Sequence, residues 1–233
     1  ALLAIGLINA VCYGVSHWYT PSQLNPLPTQ TRAQTPLYIA PFTAQQNDWP
    51  TRLPAGSDTR SARFTARGYE LATTDPEQAS AAWTQFTTVG DGAVRVTLRL
   101  HPGDYDSAGM LLDVSADGSS ALAFTVDSSG FARLDACHDL STLRGACDRE
   151  INFTDIRQIA SFSVEPISLL AIRRGQMYLF YVNDQPALIY RDATSAFAAR
   201  GFVGLYMDSG PGAVDFTDFA ITPAPANLSF WVR

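Results

Sequence analysis

The body of this sequence, residues 37–222, predicts an all-β sandwich of antiparallel strands, and three observations carry the prediction. Apolar and polar residues alternate in short runs rather than with a helical period. Turn dipeptides separate the runs, among them Asp117-Gly118, Ser129-Gly130, Arg174-Gly175 and Asn183-Asp184. About ten such runs follow one another without intervening helices, which is the signature of two packed sheets.

In chain order, Ala1 to Tyr19 comes first and holds no charged residue. As a helix rising 1.5 Å per residue it would span about 28 Å, close to the hydrocarbon thickness of a bilayer. Trp18 and Tyr19 stand where aromatic side chains favour the membrane interface. The expectation is a single transmembrane helix over residues 1–19. A cleaved signal peptide is the rival, but no small-x-small cleavage site ends the stretch. Gly6, Ala10 and Gly14 recur every fourth residue on one face, with Asn9 beside them. Small residues at that spacing let helices approach closely in lipid, and an amide can bridge them. The stripe therefore expects integral membrane subunits as partners. The first basic residue downstream is Arg32, so by the positive-inside rule that flank lies on the extracytoplasmic side. Residues 20–36 contain Pro21, Pro26, Pro28 and Pro36 and one charge. They read as a Pro-rich extended linker reaching roughly 50 Å.

Within the body, 61–72 alternates, and 93–100 does so strictly. Val94, Val96, Leu98 and Leu100 take one face; Arg95, Thr97 and Arg99 take the other. Runs at 110–114, 121–126, 131–134, 168–174, 176–182, 186–190, 202–207 and 213–221 follow. Cys137 and Cys147 flank a short loop-like stretch and, outside the cytoplasm, read as a disulfide closing it. A metal site on Cys137, His138 and Cys147 matches no standard zinc spacing. The tail, 223–233, ends in Phe230, Trp231 and Val232. That apolar cluster expects cover, from the sandwich or from a docking partner.

Composition narrows the partners. Hydrophobic residues make up 46% of the 233 and charged residues 16%, enough for a sizeable core. Net charge is −6, and all 16 basic residues are arginine. An acidic surface without arginine clusters argues against nucleic acid and against anionic lipid headgroups.

The stretches LLAIRRGQMYLFYVNDQPALIYRD and GFVGLYMDSGPGAVDFTDFAI, with the opening PFTAQQNDWP around Phe42 and Trp49, carry a family resemblance. Over about residues 41–222 the chain resembles the concanavalin A-like lectin/glucanase superfamily, in particular its laminin-G-like and bacterial domains. The resemblance implies a two-sheet jelly roll with a concave and a convex face, its last strand pairing near the first. It also implies carbohydrate as a ligand class, with Tyr105, Tyr178 and Tyr181 as candidate sugar-binding aromatics. Aromatic residues in strands also pack within or over sheets, which is the competing reading of these three. Laminin-G-like domains often carry a calcium ion, and Asp104, Asp106, Asp113 and Asp117 are the loop carboxylates that could hold one; no EF-hand-like spacing accompanies them. No other metal or cofactor is expected.

Catalysis finds little support in the sequence. A glycosidase uses two carboxylates at a set separation. The family's catalytic strand carries Glu-x-Asp-x-x-Glu, which is absent here. The four glutamates, Glu70, Glu77, Glu150 and Glu165, show no carboxylate partner at alternating strand spacing. Asp215 and Asp218 are three apart, which puts them on opposite faces of one strand, capping turns or facing water. No nucleophile elbow or phosphate-binding loop is present. The sequence thus predicts a non-catalytic, membrane-anchored extracytoplasmic sandwich serving as an accessory subunit of a membrane complex. The alternative is a membrane-tethered carbohydrate-binding module that takes polysaccharide; a glycan-active enzyme ranks third.

Overall fold

The computed structural model describes residues 34–51, 58–87, 90–103, 107–140, 142, 146–147, 149–158, 166–193 and 201–225. The expected membrane helix with its Gly6, Asn9, Ala10 and Gly14 stripe, Trp18 and Tyr19, most of the linker, Tyr105, and the tail cluster Phe230, Trp231 and Val232 lie outside the described residues. Among the described residues no helix is long and apolar enough to cross a membrane.

Those residues form an all-β, two-sheet antiparallel sandwich. Its strands are β1 (Tyr38–Ala40), β2 (Arg60–Thr65), β3 (Gly68–Thr73), β4 (Ser80–Thr87), β5 (Gly92–Leu100), β6 (Ala108–Val114), β7 (Ser120–Val126), β8 (Phe131–His138), β9 (Arg149–Asp155), β10 (Ile167–Arg174), β11 (Met177–Val182), β12 (Gln185–Arg191), β13 (Phe202–Met207) and β14 (Gly212–Pro223). One sheet runs β12-β11-β10-β5-β14-β3-β2, with β1 also pairing β14; the other runs β4-β13-β6-β7-β8-β9.

The inward residues follow the alternation of the sequence. Val94, Val96 and Leu98 of β5 meet Leu169, Ala171 and Phe180 of the neighbouring strands, and opposite them stand Met110, Leu112, Leu122, Phe124, Leu134, Val203 and Leu205. At one end Phe42 and Trp49 pack edge to face, 4.9 Å apart, and Trp49 packs on Phe219 at 5.0 Å. Trp49 Nε1 donates to Tyr38 Oη at 2.8 Å, and Tyr69 Oη donates to the Pro50 carbonyl, so the segment before β2 is stapled over the core.

Two bulges shift the side-chain phase. β14 breaks register between Thr217 and Ala220, and Asp218 there has φ 53°. The extra residue lets Val214 and Phe216 point inward before it and Phe219 and Ile221 after it. This corrects the reading of Asp215 and Asp218. The carboxylate of Asp215 is buried, on the outer side of its sheet, and only Asp218 faces water. Asp113, at φ 51°, similarly ends the inward phase of β6.

The hairpin turns fall at the expected dipeptides. Gly118, Gly130 and Gly175 all have positive φ, and Asn183 and Asp184 lie at 51° and 63°, a type I′ pair. Three strands had no matching run in the sequence: β1, β4 and β9. The run 61–72 is a hairpin, β2 and β3, folded where Gly68 adopts φ 135°.

Candidate functional site

The outer face of the six-stranded sheet is built in rows across the strands. One row reads Ala81, Tyr206, Gly109, Thr125, Arg133 and Phe153 from β4 to β9. The next reads Trp83, Gly204, Leu111, Ala123, Asp135 and, past a register shift, Glu150. Trp83, Arg133, Glu150 and Phe153 stand toward the edges of these two rows, with Gly204, Gly109, Ala123 and Thr125 between them; Leu111, Ala123 and Tyr206 are buried there, and this strip of the face is the trough. Gly204 cannot be enlarged: a Cβ would stand 2.4 Å from the Ala82 carbonyl oxygen and 2.7 Å from Trp83 Cβ.

Polar groups collect along the β8 side. Asp135 is only 2% exposed, yet its Oδ1 has no hydrogen-bond partner among the described residues. Arg133 Nη2 stands 3.7 Å from that oxygen, and Arg133 Nε 4.0 Å from Glu150 Oε2, both beyond hydrogen-bond reach. Thr125 Oγ1 and Ser107 Oγ on the same face are also buried without a partner among the described residues. Tyr206 Oη donates to Asp208 Oδ1 at 3.0 Å. Burial pushes the Asp135 carboxyl up to about 7; Arg133 opposes the shift, while Asp208 and Glu150 add to it. The buried Tyr206 phenol is pushed far above its ordinary value, again with Asp208 and Asp135 contributing. Near neutrality Asp135 is therefore divided between an acceptor and a donor, as a carboxyl facing a ligand hydroxyl can use.

A cavity of about 310 Å³ opens on this side, lined by Asp127, Phe131, Arg133, Glu150 and Phe153. Phe153 is 55% exposed, and its ring lies 6.1 Å from that of Phe131 at 65°. At the other edge a cavity of about 240 Å³ is lined by Trp83 and Phe202 with Asn47, Asp48 and Gln85. Aromatic surface thus stands at both ends of the trough, with ionisable and hydroxyl groups toward β8.

The structure places the candidates from the sequence differently. Tyr178 is buried between the sheets, where its Oη donates to Asp113 Oδ2 at 2.6 Å. Tyr181 is 1% exposed in a small apolar cluster on the outer side of the eight-stranded sheet. Neither presents a ring to a ligand, because both lie in strands whose two faces are covered. Of the carboxylates named for calcium, Asp113 binds Arg173 Nη1 at 2.7 Å, Asp117 accepts from Ser115 Oγ and the Ser119 amide in its own turn, and Asp104 and Asp106 lie outside the described residues. Among the described residues no group of three or more His, Cys, Asp or Glu could hold a metal ion. Cys137 and Cys147 are joined by a disulfide and pack with Leu140 and Ala146 over the outer face of the six-stranded sheet. The sequence reading missed Asp135, Glu150 and Asp208. No local spacing links them, and they meet only through the β8–β9 register and the position of β13.

No family model matches the sequence, and no curated protein matches it. Solved structures do. The carbohydrate-binding module CBM66 from Bacillus subtilis is 12% identical with a TM-score of 0.58, over 75% of this chain and 95% of that one. The Crh5 transglycosylase is 13% identical with a TM-score of 0.57, over 81% of this chain and 84% of that one. A Bacillus subtilis protein with a galectin-like fold is 16% identical with a TM-score of 0.53, over 81% and 96%. At these identities the likeness is one of fold. The chain has the two-sheet jelly-roll fold of carbohydrate-binding-module, galectin-like and transglycosylase structures.

Proposed function

We propose that this protein is a carbohydrate-binding module whose ligand lies along the outer face of the six-stranded sheet. One observation carries the reading: buried, unpartnered polar atoms of Asp135, Thr125 and Ser107 share a face with the exposed ring of Phe153. An unmade hydrogen bond at a buried group costs about 1–3 kcal/mol. A polyhydroxylated ligand supplies donors and acceptors to such atoms while its C–H surface covers an aromatic ring. The likeness in fold to CBM66 supports the same assignment. The Cys137–Cys147 bridge supports an oxidising, extracytoplasmic setting. A membrane tether through residues 1–19 remains part of this proposal. The accessory-subunit role rests on that helix and the tail alone, so carbohydrate binding is the reading adopted here.

The test is a screen of the full chain against an oligosaccharide array, followed by calorimetry on the ligands retained. Phe153→Ala and Arg133→Ala should each weaken binding about tenfold or more, the loss of one good contact. Retention of no glycan, or wild-type affinity in both variants, overturns the assignment. Glycan cleavage is a second reading, favoured by the raised Asp135 carboxyl beside Glu150 and Asp208. Release of reducing ends from a bound oligosaccharide, lost in Asp135→Asn, would establish it; unchanged ligand after prolonged incubation would dismiss it.

A further inference from the structure

A second polar assembly lies on the opposite side of the molecule, on the outer face of the eight-stranded sheet. There Arg63 of β2, Glu70 of β3, Asp215 of β14 and Arg99 of β5 stand side by side across four strands. Glu70 is closed off: Arg63 Nε reaches its Oε1 at 2.7 Å and Arg67 Nη2 its Oε2 at 3.3 Å. Asp215 is half satisfied. Its Oδ2 takes Arg67 Nε at 3.0 Å and His101 Nε2 at 2.7 Å, while Oδ1 is buried with no hydrogen-bond partner among the described residues. The residue is 3% exposed, and it lines a cavity of about 190 Å³ together with Arg67, Thr97, Arg99 and Thr217. Arg99 on the rim is exposed and has no partner among the described residues.

These groups set the chemistry of an occupant. Asp215 Oδ1 requires a donor, a hydroxyl or an N–H. Arg99 offers a planar fork that suits a carboxylate. Three guanidiniums face two carboxylates here, on a chain whose net charge is −6, so the cavity favours an anion. A sulfate brings only acceptors and leaves Asp215 opposed by like charge. A neutral sugar satisfies Asp215 but leaves Arg99 unmatched. We infer that this cavity is a binding site for a sugar acid, a uronate whose hydroxyl donates to Asp215 Oδ1 while its carboxylate accepts from Arg99. The site is separate from the trough and goes beyond the assignment made for it.

The test is calorimetric titration of the full chain at low ionic strength with D-galacturonate and D-glucuronate. D-glucose serves as the neutral control and acetate as the anion-only control. A uronate should bind saturably and at least about tenfold tighter than either control, each control forgoing one of the two charge-assisted contacts. Arg99→Gln should erase that preference. Arg99 is exposed, so its replacement does not threaten the fold. Phe153→Ala should leave uronate binding unchanged. Acetate binding as tightly as the uronates would mean a bare anion site and overturn the inference. So would glucose binding equally well, an Arg99→Gln variant with wild-type affinity, or loss of uronate binding in Phe153→Ala.

Discussion

Replacing Asp135 by Asn should stabilise this protein at neutral and alkaline pH and leave it nearly unchanged in acid. The carboxyl sits at about 7 in the folded chain against an ordinary 3.8. It therefore holds its proton about a thousandfold more tightly when folded, worth about 4 kcal/mol at 1.36 kcal/mol per tenfold. The sign follows from proton counts. Between about pH 4 and 7 the folded state keeps this proton and the unfolded state has lost it, so stability falls as pH rises through that window. Above about 7 the full cost of burying the charge is present. Asn has nearly the same shape and no charge at any pH, so the wild-type minus Asn difference isolates this one group. Urea denaturation of both proteins from pH 4 to 8.5, with the disulfide intact, reads it directly. Near pH 4 the two curves should coincide. By pH 8 the Asn variant should be more stable by up to about 4 kcal/mol, less whatever its amide fails to bond. A difference that is flat across the range would refute the reasoning. The same variant should lose carbohydrate affinity, so a group that weakens the fold serves the ligand.

Three further outcomes follow from the packing. Asp113→Ala leaves Arg173 and Tyr178 without their buried partner and should cost about 3–5 kcal/mol, read as a lower urea midpoint with an unchanged slope. The Cys137→Ser, Cys147→Ser pair opens a loop with a sequence separation of 10, and chain entropy puts the loss at about 3 kcal/mol by thermal denaturation. Gly204→Ala places a methyl 2.4 Å from the Ala82 carbonyl, so β13 must move away from β4; a loss of about 1–3 kcal/mol and a displaced Trp83 fluorescence spectrum are expected.

Where the sequence was informative, one physical signal dominated. β5 alternates from Val94 to Leu100, and the Asn183-Asp184 turn announces its hairpin through residues that tolerate positive φ. β4 was invisible because the inward and outward positions of SAAWTQFT both mix small, polar and aromatic residues, and β9 because REINFTD is polar at an edge. β14 deceived the alternation rule at Asp218, where one bulged residue reverses the phase; from sequence alone, Asp215 could not be assigned to its buried charge ladder. The trough was hidden for a different reason. Asp135 and Glu150 are close because of a register shift after Leu134, and Asp208 joins them from just past the end of β13, about 70 residues on, contacts that topology sets and local pattern does not. Tyr178 and Tyr181 illustrate the limit of reading aromatics: three apart in one strand, they occupy opposite faces, and both faces are covered.

The pairing of β1 with β14 has a mechanical consequence. Leu37 N donates to the Ile221 carbonyl at 2.8 Å, and Tyr38, Ile39 and Ala40 lie antiparallel to Ile221, Ala220 and Phe219. The chain therefore enters the sandwich at residue 37 beside the place where it leaves at residue 223. Tension drawing those two points apart acts across the ladder, not along it, and loads its hydrogen bonds singly. A three-residue strand peeled in that way yields at low force, and its departure carries off the Tyr38 hydroxyl that ties down Trp49. Tension from residue 37 to any point beyond β14 enters through the same three-residue strand, so β1 is the first element to yield whichever point it is pulled against.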